Sequence, residues 1–335
     1  MMKLSVMKAV SATCDAEWRS PLAEQIAARW EYDAGSCRAV WFSSNFVFRF
    51  TQGGQARILR FVRSDERTRA AIEAEMAFVE HLRARGIWAP EAFPSRAGAI
   101  VETVETGLGE FHAVAMEALP GEGRETEDLT PAMFRDWGRL TGELHNAAQG
   151  YAHPGRPDWR AQLDQAEDAL PETEGVARAA ARMLKERLGA MPVSAVNFGL
   201  IHYDLSPDNV RWGGERLGLI DFDDCAHYWF AADVAYALRE LYEDRASRLD
   251  LNHPRLRDFV AGYREVRALG DADLGGLRLF AAANHLIKLA ELRAIVEEGH
   301  EPDEPEWAAG LRVKLAGMLE GYRAEMQALL DRGGE

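Results

Sequence analysis

The segment 201–224, IHYDLSPDNVRWGGERLGLIDFDD, brings together five aspartates, an asparagine and a histidine. Most of its other residues are apolar or turn-forming, so it reads as a half-buried loop and hairpin. Burying carboxylates is costly unless a cation or a donor meets them. His202, Asp204 and Asn209 fall on a loop, followed by a hairpin of residues 209–212, the turn GGER and residues 217–222. A hairpin brings its two ends together, so Asn209 and Asp221 should lie side by side. One carboxylate and one amide oxygen suit Mg2+, which takes one or two protein oxygens and completes its shell with water and phosphate. Asp204, upstream of Asn209, is placed to orient a hydroxyl and accept its proton during phosphoryl transfer.

These residues need elements to hold them. Helical spacing marks residues 21–30, and aromatic and β-branched strands follow (AVWFSS, NFVFRF, ARILRFV), with the TQGGQ turn between the last two. The segment ERTRAAIEAEMAFVEHLRARG places Ile72, Met76, Val79 and Leu82 on one helical face, with Gly86 as its stop. AIVETV and FHAVAMEAL read as further strands. Beyond the polar stretch LPGEGRETED the chain is mainly helical, apart from the acidic hairpin.

Composition narrows the function classes. The 335 residues are 47% hydrophobic and carry a net charge of −15, enough for a large core and unfavourable for nucleic-acid backbones or anionic membranes. Three scattered cysteines, Cys14, Cys37 and Cys225, form no zinc or disulfide pattern and fit a reducing compartment. No apolar run is long enough for a signal peptide core or a membrane span, so a cytoplasmic protein is expected.

HYDLSPDN followed by IDFDD resembles the catalytic loop and metal-binding segment of the kinase-like phosphotransferases. That family includes aminoglycoside phosphotransferases, choline kinases and homoserine-kinase-type enzymes. Ser206 stands where protein kinases usually keep a lysine, and Asp223 replaces the glycine of D-F-G, which points to the bacterial small-molecule branch. ARILRFV and the following helix resemble the phosphate-pairing strand and its carboxylate partner, here Arg60 and Glu75, with Glu73 as the rival acid. MEALPG resembles the linker between lobes, which assigns adenine contacts to the Glu117 carbonyl and the Leu119 amide. WGRLTGELHNAA, DVAYAL and FVAGYREV resemble helices of the second lobe, with Asp233 steadying the catalytic loop. The turn FSSNF has no glycine, so Ser43, Ser44 and Asn45 become the candidate phosphate donors. By the same match His202 supports the loop, and Asp223 touches metal or caps the turn.

The resemblance implies an α+β, two-lobed protein-kinase-like fold. A small β-rich N-lobe with one long helix spans residues 1–118, and a larger, mainly helical C-lobe with the catalytic loop and acceptor site spans 119–335. It implies transfer of the γ-phosphoryl group of ATP or GTP, with Mg2+ on Asn209 and Asp221, to the hydroxyl of a small molecule. The acidic stretches ELYEDRASRLD and EEGHEPDEPEW hint at a cationic acceptor such as an aminoglycoside or amino alcohol. The alternatives are a homoserine- or protein-directed kinase, or a nucleotide-binding module without transfer. Against the protein-directed version, the chain between Asp221 and Asp233 is too short for a long activation segment.

Overall fold

The structure is a computed structural model that describes residues 2–213, 216–242, 245–298 and 304–333. Gly214 and Glu215 of the GGER turn, Glu243 and Asp244, and positions 299–303 of the second acidic stretch lie outside them.

The N-lobe begins with two short helices, α1 (Leu4–Ser11), which carried no sequence signal, and α2 (Pro21–Ala27), which falls within the helical spacing of residues 21–30. Its sheet comprises β1 (Arg38–Phe42), β2 (Phe46–Gln52), β3 (Gln55–Arg63), β4 (Ala92–Phe93), β5 (Glu102–Thr106) and β6 (Gly109–Glu117), with α3 (Arg69–Arg83) between β3 and β4. The path runs β1-β2-β3-β6-β4, with β5 also on β6, and every pairing is antiparallel.

Alternation along β3 sends successive side chains to opposite faces. Leu59 and Phe61 join Phe46, Phe48, Phe50 and Phe111 in a core covered by α1 and α2. Val62, on the other face, packs with Ile72, Met76, Val79 and Leu82 of α3. Arg60 shares that second face and is therefore directed at α3. The Thr68 hydroxyl caps α3 by accepting from the Ala71 amide.

The C-lobe contains α4 (Pro131–Ala148), α5 (Trp159–Ala169), α6 (Gly175–Gly189), β7 (Phe198–Ile201), β8 (Val210–Arg211), β9 (Gly218–Leu219), β10 (Ala226–Trp229), α7 (Phe230–Ala237), α8 (Pro254–Arg264), α9 (Asp271–Gly275), α10 (Leu277–Val296) and α11 (Glu306–Asp331). α4 and α8 cross with backbones nearly touching. A methyl group on Gly138 would fall 1.9 Å from the Phe259 carbonyl oxygen, and one on Gly262 would fall 1.8 Å from that of Arg135. The small residues in WGRLTG and FVAGY are thus packing residues. The predicted hairpin is shorter than its sequence pattern, because Pro207–Asn209 forms a 3₁₀ turn and Trp212 pairs with Glu122 of the linker. Among the described residues no helix is long and apolar enough to cross a membrane.

Candidate active site

β7 delivers the chain to His202–Asp204, and α7 supplies the carboxylate beneath it. Asp233 is fully buried and accepts the His202 amide at 2.8 Å on Oδ2 and the Tyr203 amide at 2.7 Å on Oδ1. His145 Nε2 adds a third donor at 3.1 Å. A carboxylate can only accept, so His145 carries its proton on Nε2 and its Nδ1 accepts from the Tyr263 hydroxyl at 2.8 Å. Burial holds the His145 pKa below the ordinary histidine value, the pull of Asp233 offsetting this in part. With both amides held, Tyr203 takes a left-handed φ of 76° and Asp204 turns into the cleft. His202 packs its ring against Phe222, and its Nε2 donates to the Ile220 carbonyl at 2.9 Å, joining the loop to the segment before Asp221. His145 and Tyr263 carried no motif of their own beyond the L-H and G-Y pairs.

Asn209 and Asp221 are brought together by the backbone, where the Ile220 amide donates to the Asn209 carbonyl at 3.0 Å. The Asn209 amide nitrogen donates to the Asp204 carbonyl at 2.8 Å and to its Oδ2 at 3.2 Å, leaving the amide oxygen for a cation. Asp221 follows β9 in a left-handed conformation, φ 64°, a strained state for a non-glycine residue that positions its carboxylate at the cleft. Burial raises its pKa well above the carboxylate range, and the adjacent Asp223 charge adds to this while Arg60 opposes it. Negative charge is in excess here, the condition a bound cation relieves.

From the N-lobe, Arg60 Nη2 meets Glu75 at 2.7 Å and Nη1 lies 3.7 Å from Asp221. Glu73 instead pairs with Arg69 on the exposed face of α3. Asn45 is engaged differently from expectation: its amide donates to Asp223 Oδ2 at 2.7 Å. Its side chain is therefore tied to the C-lobe, because a buried carboxylate needs donors. Ser44 remains half-buried at the tip of the turn. Arg67 reaches Asp223 at 3.1 Å, and Arg156 donates to the Asp223 carbonyl at 2.6 Å. Burial disfavours the Asp223 charge, but Arg67, Arg60 and Asn45 more than compensate and lower its pKa. Asp223 thus works as a latch between lobes. Sequence reasoning missed Arg67, Arg156 and Arg239, whose Nη1 sits 2.7 Å from Asp204 Oδ1. None of the three stands in a motif.

The linker closes the back of the cleft. The Glu117 amide donates to the Glu91 carbonyl at 2.8 Å, and Leu119 packs toward Gly218 beside Trp88. Gly121 has φ 91°, and a side chain there would fall 2.3 Å from the Trp212 carbonyl oxygen. Glu122 and Trp212 exchange backbone hydrogen bonds of 3.1 and 3.0 Å.

A family profile described as the phosphotransferase enzyme family matches residues 38–269. The chain belongs to that family. It is 27% identical over 307 residues to the amicoumacin kinase of Bacillus subtilis (strain 168), covering 86% of this chain and 89% of that one. It is 29% identical over 218 residues to the homoserine kinase of Rhizobium johnstonii, covering 63% of this chain and 65% of that one. Among solved structures, an amicoumacin kinase in complex with AMP-PNP, Ca2+ and its antibiotic superposes with a TM-score of 0.76 at 24% identity, over 96% of both chains. The two-lobed kinase-like fold and a small-molecule phosphotransferase are therefore established.

Proposed function

We propose that this phosphotransferase moves the γ-phosphoryl group of Mg2+-bound ATP to the hydroxyl of a small nitrogen-containing metabolite or antibiotic in the cytoplasm. The carrying observation is the convergence of Asp204, Asn209 and Asp221 from the C-lobe with Arg60 from the N-lobe on one cleft. That arrangement suits Mg2+, for which one carboxylate and one amide oxygen plus phosphate oxygens form an ordinary shell.

In this reading Asn209 and Asp221 hold the cation, which supplies charge neutralisation at the β- and γ-phosphates. Arg60, fixed by Glu75, grips phosphate oxygens; its planar, permanently charged fork does so in place of a lysine. Leu119 and the Glu117 carbonyl seat the adenine, and Ser44 faces the phosphates at the turn. Asp204 orients the acceptor hydroxyl and takes its proton. Asp233 and His202 keep Asp204 in place, so the rate comes from positioning and electrostatics.

The test is ATP consumption, with product identified by mass, across amino alcohols, hydroxy amino acids and aminoglycosides. Phosphorylation of at least one, abolished in Asp204→Asn, is expected. Tight nucleotide binding with no transfer to any hydroxyl would leave a binding module instead.

A further inference from the structure

Two cations neighbour Asp204 and Asp224, and the reading above assigns neither to the nucleotide or the metal. Arg239 contacts Asp204 directly at 2.7 Å. Lys288, on α10, lies 3.1 Å from Glu291 and 3.8 Å from Asp224. The side chains of Arg239, Lys288, Asp204, Asp224 and Glu291 are between 30% and 36% exposed, so all five open toward solvent. Burial works against the Lys288 charge, but Glu291, Asp224 and Asp204 outweigh it and keep the ammonium protonated.

A purely cationic acceptor would bring its charge against both groups. It would also leave Arg239 on the very carboxylate that must receive the hydroxyl proton. An anion on the acceptor resolves both conflicts, because a planar guanidinium takes a carboxylate bidentately and is drawn away from Asp204. We propose that the acceptor is a small hydroxy amino acid, its carboxylate received by Arg239 and Lys288 and its ammonium by Asp224 and Glu291. The assignment rests on the cleft being the acceptor site of a kinase, and it replaces the cationic acceptor hinted at by the acidic stretches.

Matched acceptors that differ by one carboxylate test it: serine with ethanolamine, homoserine with 3-aminopropanol, threonine with 1-amino-2-propanol. In at least one pair the acid should exceed the amine in kcat/KM by about tenfold or more. Lys288→Gln should raise KM for that acid by about fivefold with no such rise for the amine, and Lys288→Arg should restore it. A general folding defect would not separate acid from amine in this way. Preference for the amine in every pair, or transfer to aminoglycosides alone, overturns the inference while the kinase reading stands. Arg239→Gln raising KM for ATP rather than for the acid overturns it too, by assigning Arg239 to a nucleotide phosphate. No transfer to any hydroxyl compound would remove the kinase reading first and this inference with it.

Discussion

Two carboxylates flank the catalytic loop, and the fold treats them in opposite ways. Asp233 lies beneath the loop, dry, with two backbone amides and a neutral histidine donating to it. Asp221 lies in front, strained at φ 64° and beside the Asp223 charge, with Arg60 3.7 Å away. The floor is complete in the protein alone. In the cleft the Asp221 charge is incompletely met, and a bound cation would complete it. Stability is therefore concentrated where nothing reacts, and electrostatic tension where the reaction occurs.

Four measurements probe this contrast. The largest effect belongs to Asp204→Asn, expected to cut kcat by about 10²–10⁴ in a coupled ATP-consumption assay. Its melting temperature should stay within about 2 °C of the parent; a larger drop would move Asp204 from cleft to floor. Asp233→Asn should lower the free energy of urea unfolding by about 2–4 kcal/mol, since two buried amides and His145 lose a charged acceptor. Asp221→Asn should act with the opposite sign. In metal-free buffer its melting temperature should rise, because an amide removes a charge held at a cost, while stabilisation by Mg2+ and AMP-PNP disappears. Equal destabilisation by both Asn variants would erase the distinction between floor and cleft.

The smallest effect is a pH dependence. His145 has a folded pKa below its unfolded value of 6.5, so the unfolded chain binds more protons. Its contribution to stability is present above pH 6.5 and is lost progressively as pH falls from there through the lower folded value. Melting curves from pH 8 to pH 5 should show His145→Gln with a flatter decline than the parent. An unchanged decline would mean that the ring is already charged in the folded protein.

What was legible in the sequence is what local spacing encodes. The pattern from His202 to Asp223 carried the loop, and the periodicity of Ile72, Met76, Val79 and Leu82 carried α3. Family order then singled out Glu75 over Glu73. The pairing of Asn45 with Asp223 joins residues 178 positions apart, and Arg239 reaches back to Asp204 across a helix. Arginines in loops and short turns are ordinary surface residues until tertiary folding supplies a partner, so nothing in their spacing marks Arg67, Arg156 or Arg239. The short α1 went unread because its two turns are too few to show a period, whereas α2 lies within the spacing of residues 21–30.

The contact between Gly121 and Trp212 also bears on how the two lobes are joined. From residue 121 onward the connecting segment is tied to the catalytic hairpin, which leaves Ala118–Pro120 to bridge the lobes at the back. At the front, Asn45 and Arg67 on Asp223 make a second tie, so the crevice is clasped at both ends rather than at one.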